Sequence, residues 1–207
     1  FKVVWLVIAQ ISSPLYNTSS LTLWYIFKIS ACTLYKYSEY TKCDDIDVGM
    51  LREDYDRFFK VFDEELGEKY ALLTPAIDER YACTVTHIQK KGTKFISEAS
   101  QDLKCEQCIF MDIFPFDAVA ADEKGQKRQA KRTGILGKLL FLTGTAYPLI
   151  PLKGVAWAVA GFACQVIHYT MKLFRVSPKT IYNMYLREAT AYNDDETKQY
   201  ITSFEYA

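Results

Sequence analysis

The stretch Asp44-Asp45-Ile46-Asp47-Val48-Gly49-Met50-Leu51-Arg52-Glu53-Asp54-Tyr55 carries the strongest structural signal in this chain. It begins with three carboxylates within four residues, and like charges this close raise each other's pKa unless a cation neutralises them. In an extended strand, Asp45 and Asp47 point to one face while Ile46 points to the other. This geometry suits a hard divalent cation such as Mg²⁺, held by carboxylates and by substrate phosphate oxygens. The alternative is an acidic surface turn, because Asp is common in turns.

The residues around and after these aspartates predict a strand, a turn and an amphipathic helix. Asp44–Val48 is predicted to be the end of the strand and Gly49 the turn. Charged residues then occupy much of one helix face over Arg52–Lys60. The apolar face follows the three- and four-residue spacing of a helix, with Tyr55, Phe58, Phe59, Phe62 and Leu66. The helix is expected to end at Gly67 or in the region before Pro75.

Two later segments are typical of strands. Tyr81–Gln89 alternates apolar and polar residues, and a turn at Lys90–Thr93 with a return strand at Lys94–Ser97 would complete a hairpin. Ile109–Phe114 is an apolar run closed by Pro115, and it contains one charge, Asp112. A carboxylate inside such a run is costly unless it is paired or bound to a metal. The alternative is a residue of an edge strand that faces water.

The chain from Gly134 to Met171 is overwhelmingly apolar. Its last part, Gly154–Met171, has 18 residues without Asp, Glu, Lys or Arg, which is the lower limit for a membrane span. Three interpretations compete: a buried pair of helices, a membrane span, and an interfacial segment, which the flanking basic residues favour. Ser177-Pro178 then predicts a helix start, and Tyr200–Phe204 is a candidate strand. The buried stripe of that helix is predicted to be Ile181, Met184, Tyr185 and Ala189.

The composition restricts the classes of function. Lys+Arg and Asp+Glu both number 25, which argues against a nucleic-acid partner bound by general electrostatic attraction. The six cysteines include one CxxC pair, Cys105 and Cys108, and the chain has two histidines. A zinc site would need a second pair or histidines at suitable spacing, so zinc binding is not favoured. Reduced thiols in the cytoplasm are therefore expected. Phe1–Ile11 has neither the charged start nor the cleavage site of a secretory signal.

Three motifs in order resemble the LicD family, which includes fukutin and fukutin-related protein. They are D-D-I-D-V-G-M-L-R-E-D-Y-D-R-F (44–58), K-K-G-T-K-F-I (90–96) and M-D-I-F-P-F-D (111–117). The resemblance implies an α/β (α+β) fold, with a nucleotidyltransferase-like mixed sheet flanked by helices and a largely helical, apolar C-terminal part. It divides the chain into a divergent or aberrant segment at 1–43, a catalytic core at 44–120 and a helical, potentially membrane-associating part at 121–207.

The resemblance also implies an activity. Members of the family transfer phosphocholine or a polyol phosphate from a CDP-linked donor, such as CDP-choline or a CDP-polyol, to a hydroxyl of a cell-surface glycan such as teichoic acid or lipopolysaccharide. Mg²⁺ or Mn²⁺ is the expected cofactor, and no nucleic acid is expected as a partner. The expected location is the cytoplasm, with a peripheral contact at the inner face of the cell membrane through residues 134–171.

Carried onto this sequence, the family motif assigns Asp45 and Asp47 as metal ligands. Asp112 would be a third carboxylate on a neighbouring strand, either a ligand or the base for the acceptor hydroxyl. In that second role Asp112 is a catalytic residue, together with Asp47. Asp44 is assigned to substrate binding, and its alternative role is to orient the turn.

Further candidates for binding the donor phosphate carry positive charge or a hydroxyl. Lys90, Lys91 and Thr93 lie on the predicted hairpin turn, and a solvated, lysine-rich turn is the equally good alternative. Arg52 either clamps a phosphate or forms a salt bridge on the helix surface to Asp56, and we favour the salt bridge.

One segment departs from the family pattern. The family has G-T-L-L-G, an Arg-His pair and I-P-W before the aspartates, and Lys28–Cys43 contains none of these. The glycine-rich turn lets backbone N–H groups approach the donor phosphate. The first 43 residues are therefore interpreted as divergent, read in a wrong frame, or part of a defective copy. The alternative to an active phosphotransferase is an impaired family member or a truncated fragment that acts only by binding.

Overall fold

The computed structural model describes residues 26–27, 47–96, 100–194 and 201–204, and of residues 26, 27 and 47 it describes the backbone alone. Within these ranges the chain forms an α/β fold with a mixed six-stranded sheet and four helices. The strands are β1 (Ile26–Phe27), β2 (Asp47–Leu51), β3 (Tyr70–Leu73), β4 (Thr86–Lys90), β5 (Phe110–Ala118) and β6 (Ile201–Thr202). The helices are α1 (Arg52–Leu66), α2 (Glu123–Gly144), α3 (Gly154–Leu173) and α4 (Pro178–Ala189).

The sheet has the order β1-β2-β5-β4-β3, and β6 pairs with the end of β5. β5 runs parallel to β2, and the other neighbouring strands are antiparallel. β5 is therefore a central strand, so the interpretation of Asp112 as an edge-strand residue is wrong. The strand also continues through Pro115, which was expected to close it. Pro115 is in register with Met50 of β2, whereas β4 pairs with β5 only as far as Ile113. The missing N–H of proline therefore interrupts no bond to β4.

Gly49 lies inside β2 and is not the turn that the sequence predicted. Its register partner is Phe114, and a Cβ atom at position 49 would collide with the ring of Phe116. Glycine is needed here because the aromatic side chain of the neighbouring strand occupies that space. The strand continues to Leu51, and α1 begins at the next residue.

The predicted amphipathic helix is confirmed as α1. Four of its five predicted apolar residues are fully buried, while Phe59 is partly buried. These four are Tyr55, Phe58, Phe62 and Leu66. They pack against one face of the sheet, where Val48, Ile88 and Ile113 contribute to the same core. Gly67 caps the helix as expected.

The hairpin was predicted with the wrong partner. The strand within Tyr81–Gln89 is shorter than predicted, because β4 begins at Thr86. Its hairpin partner is β3, and its other neighbour is β5. Residues 94–96 form no strand, and 97–99 lie outside the described residues. The sequence missed β3 because four residues are too few to show a clear alternation.

The C-terminal half is helical, as expected. Ser177 caps α4 by accepting a hydrogen bond from the backbone N–H of Thr180, and Pro178 occupies the first turn. In the predicted stripe Ile181, Tyr185 and Ala189 are buried, but Met184 is 40% exposed and Tyr182 is buried in its place. This face of α4 packs against α2, where Leu140 is fully buried.

α3 contains the long apolar segment. No residue of α3 is buried, so the interpretation as a buried helical pair is wrong. No helix in the described part of the chain is long and apolar enough to cross a membrane. Gly154, Gly161, Gln165 and His168 reduce the apolar character of this segment, and the interpretation as a membrane span is also wrong.

Candidate functional site

Two of the predicted acidic residues lie on neighbouring strands. The Cα atoms of Asp47 and Asp112 are register partners in the parallel pair of β2 and β5. Residues in register on neighbouring strands share a face of the sheet. This is the face opposite α1, because α1 packs on Val48 and Ile113, which are the next residues along the two strands.

Asp112 also contacts a histidine on its other side. His87 of β4 is its antiparallel register partner, and Nε2 of His87 lies 3.2 Å from Oδ1 of Asp112. The imidazole ring stacks on the ring of Phe110, with a centroid distance of 3.9 Å and an interplanar angle of 5°. Both side chains are partly accessible, with 16% exposure for His87 and 18% for Asp112. The carboxylate is therefore held from one side by β4 and remains reachable by solvent.

Tyr81 lies on the other side of His87. Its hydroxyl is 2.8 Å from the carbonyl oxygen of Val85 and 3.0 Å from Nε2 of His87. A hydroxyl has one hydrogen to donate, so the direction of the bond between Tyr81 and His87 depends on the tautomer of the imidazole. Nε2 of His87 is therefore placed between the hydroxyl of Tyr81 and the carboxylate of Asp112.

Burial keeps His87 neutral. Removal of the ring from water lowers the pKa of His87 to about 4, because burial disfavours the charged form. The carboxylate of Asp112 acts in the opposite direction, but the ring is enclosed by Phe110 and Tyr81. His87 is therefore a neutral ring that lies against Asp112.

The second aspartate on β5, Asp117, has a structural partner. Arg52 donates two hydrogen bonds to Asp117, from Nε at 2.8 Å and from Nη2 at 2.6 Å. Asn193 donates a further bond to Asp117 at 2.8 Å. Burial by itself would lower the pKa of Arg52, but the hydrogen bonds and charge of Asp117 hold it above its ordinary value. Arg52 thus forms a salt bridge, as favoured, but its partner is Asp117 and not Asp56.

The predicted phosphate-binding turn contains internal contacts. Thr93 donates its hydroxyl hydrogen to the carbonyl of Lys90 at 2.6 Å and accepts from the N–H of Ile109 at 3.0 Å. The ammonium of Lys91 donates to the carbonyl of Gly67. Between them Gly92 has a φ of 76°, the left-handed region that favours glycine in turns. A role of Lys91 or Thr93 in binding phosphate stays a prediction.

The other predicted acidic residues of the site lie largely outside the described part of the chain. Asp44 and Asp45 lie outside the described residues, and so does the side chain of Asp47. Among the described residues, no three or more His, Cys, Asp or Glu side chains form a group that could hold a metal. The residue types at 47 and 112 nevertheless fit Mg²⁺, which prefers carboxylate oxygens and keeps several waters or substrate oxygens in its shell.

The cysteines near this site are not activated thiols. Burial raises the pKa of Cys83 to about 12, and burial also raises the pKa of Cys105 and of Cys108. A thiol must lose its proton to act as a nucleophile or as a metal ligand. Thiol chemistry at the CxxC pair is therefore disfavoured.

The sequence interpretation missed His87 and Tyr81 as parts of the site. His87 was visible as one of two histidines in a predicted strand. Its link to Asp112 depends on the register between β4 and β5, which the sequence does not display. Comparison with protein-family models, with curated proteins and with solved structures finds no match to this chain. The function must therefore be argued from the residues and their arrangement.

Proposed function

We propose that this chain is a Mg²⁺-dependent phosphotransferase of the LicD type, built on a nucleotidyltransferase-like sheet. It would transfer a phosphocholine or similar phospho-substituent from a CDP-linked donor to a hydroxyl of a glycan. The observation that carries the proposal is the register pairing of Asp47 with Asp112 on neighbouring parallel strands. Two carboxylates at adjacent positions on one face supply the oxygen ligands that such a metal requires.

The proposed role of each residue follows from this arrangement. Asp47 and Asp112, with Asp45 preceding them, would hold the metal, which neutralises charge on the donor phosphates. Asp112 is also the candidate base for the acceptor hydroxyl. His87 is the candidate positioning residue, because its ring lies beside the Asp112 carboxylate, with Nε2 3.2 Å from Oδ1.

The competing proposal is a family member without turnover. It is supported by Lys28–Cys43, which lacks the glycine turn of the family. Such a protein would keep the fold and would not bind the donor in a metal-dependent way.

Calorimetry with CDP-choline, with and without Mg²⁺, separates the two proposals. We expect saturable binding to the wild type only with Mg²⁺, and at least tenfold weaker binding to Asp47→Asn and to Asp112→Asn. Asp63→Asn is the matched control, because Asp63 is exposed on α1 and its substitution should leave binding unchanged. If the wild type shows no metal-dependent binding of this donor or of a CDP-polyol, the phosphotransferase proposal is rejected in favour of the second one.

A further inference from the structure

α3 presents an apolar surface that the rest of the described protein does not cover. Six large side chains, 48% to 80% exposed, follow one another along the helix at intervals of four and three residues. This spacing places them on one face. They are named the α3 stripe: Val155, Val159, Phe162, Val166, Tyr169 and Leu173. Trp157, next to the stripe, is also exposed.

The other side of α3 rests on the protein. Nδ1 of His168 donates to the carbonyl of Leu142 in α2 at 2.7 Å. Cys164 and Met171 on this side are less exposed than the stripe. The C-terminal half of the helix is therefore held against α2, and the stripe faces outwards.

The charged residues of α3 and of the sequence on either side of it are all positive. Between Lys124 and Arg187 the chain has eleven Lys and Arg residues and no Asp or Glu, although its net charge is zero. Lys153 precedes α3, Lys172 lies in its last turn and Arg175 follows it. Within the described ranges, none of these three takes part in an ion pair. This asymmetry favours an anionic partner surface.

A cavity of about 410 Å³ lies at the C-terminal end of α3. Lys172 and Arg175 line one side of it, and Arg80 and Lys104 also contribute to its wall. Glu79 is the one acid in the lining. The cavity can therefore accept an anionic headgroup close to the end of the stripe.

The charges decide between a bilayer and a second copy of the chain. If two stripes packed in parallel, each cation would lie beside the same residue of the second chain. If they packed antiparallel, Lys153 of one chain would lie beside Lys172 and Arg175 of the other. The sequence between Lys124 and Arg187 contains no acid, and at the C-terminal end Glu79 is the one acid beside four cations of the cavity wall. Like charges brought together are destabilising. An anionic bilayer satisfies both the apolar stripe and the cations at its ends.

We propose that α3 docks this protein on the surface of a bilayer that contains anionic lipids. The 20-residue helix lies in the plane of the interface over about 30 Å. The α3 stripe enters the boundary of the acyl chains, and Lys153, Lys172 and Arg175 contact the headgroups. The docking is independent of phosphotransfer, because its residues are distinct from those of the acidic site.

Co-sedimentation of the full chain with vesicles tests the docking. We expect retention on phosphatidylcholine vesicles that contain phosphatidylglycerol, weaker retention in 0.5 M salt because screening weakens surface charge interactions, and little retention on phosphatidylcholine alone. The double substitution Phe162→Glu/Val166→Glu should reduce retention at least tenfold. Lys172→Glu/Arg175→Glu should remove the salt-sensitive part. Ile77→Glu is the matched control, because Ile77 is 58% exposed and lies outside α3.

Three results would overturn the proposal. The first is a wild type that stays in the supernatant with anionic vesicles. The second is a Phe162→Glu/Val166→Glu variant that is retained as well as the wild type while circular dichroism shows an unchanged fold. The third is a wild-type dimer in analytical ultracentrifugation that this variant abolishes, which would assign the stripe to self-association.

Discussion

Nε2 of His87 lies 3.2 Å from Oδ1 of Asp112, its register partner across the antiparallel strands β4 and β5. This contact is built into the sheet, because the register that pairs the two residues also pairs Ile88 with Met111 in the core. The contact between His87 and Asp112 therefore depends on the same strand register as the core that packs against α1 on the opposite face.

The buried His87 predicts a loss of stability in acid. Its folded-state pKa of about 4 lies below the value of 6.5 for an exposed histidine. As the pH falls below 6.5, His87 becomes protonated in the unfolded chain but stays neutral in the folded chain. The free energy of unfolding therefore decreases until the pH reaches the folded-state pKa. This linkage amounts to up to about 3 kcal/mol. Urea unfolding at pH 7.5 and 4.5 in EDTA should show a smaller decrease for His87→Phe than for the wild type.

The phenylalanine preserves a ring that can stack on Phe110, so the comparison isolates the titration. An equal decrease in both proteins would mean that the pKa of His87 is not lowered by folding, because the carboxylate of Asp112 offsets the effect of burial.

Gly49 should not tolerate a side chain. A Cβ atom there would collide with the ring of Phe116, and overpacking of this kind costs about 1–3 kcal/mol. Gly49→Ala should therefore lower the free energy of unfolding, and Gly49→Ala/Phe116→Leu should recover part of the loss. Gly161→Ala is the opposite control: no atom lies within 4 Å of a Cβ there, and alanine should stabilise the helix by about 1 kcal/mol. Equal effects of the two alanine substitutions in thermal unfolding would contradict this prediction.

The ion pair between Arg52 and Asp117 should be important for stability. Asp117 is 2% exposed, and Asp117→Asn would leave the guanidinium of Arg52 buried without its anion, at a cost of about 3–5 kcal/mol. Arg80 and Asp78 form a pair of the same geometry, with bonds of 2.9 and 2.7 Å, but on the surface. Asp78→Asn should have a much smaller effect, because solvent screens exposed pairs. Chemical denaturation of both variants measures the difference.

The parts of the fold that the sequence predicted depend on local patterns. α1 was predictable because five apolar residues repeat the helical spacing, and the start of α4 was predictable because Ser177-Pro178 is a local capping signal. β3 and the true partner of β4 were not predictable, because strand pairing is decided by contacts distant in sequence. The turn predicted at Gly49 was wrong. Glycine is common in turns, but here it is needed because the ring of Phe116 on another strand occupies the space of a side chain.

The same distinction applies to the candidate site. Asp112 was predictable because a single charge interrupts an apolar run. It was expected on a strand next to that of Asp47, and the register of β2 and β5 confirms this placement. His87 gave no such signal, because a histidine is unremarkable in an alternating strand. The apolar character of α3 was visible in the sequence, but which side of the helix faces the protein depends on the packing of α2.

The proposed metal site predicts opposite effects of Asp112→Asn in the two metal states. In the proposed site the carboxylates of Asp47 and Asp112 would repel each other without metal, so the amide should raise the melting temperature in EDTA. With Mg²⁺ at about 100 times its dissociation constant, binding should stabilise the wild type by about 2.7 kcal/mol, and the variant should gain little. The amide has nearly the same shape as the carboxylate, so the fold of the variant should be preserved. A melting temperature that rises equally with Mg²⁺ in both proteins would show that the metal binds elsewhere.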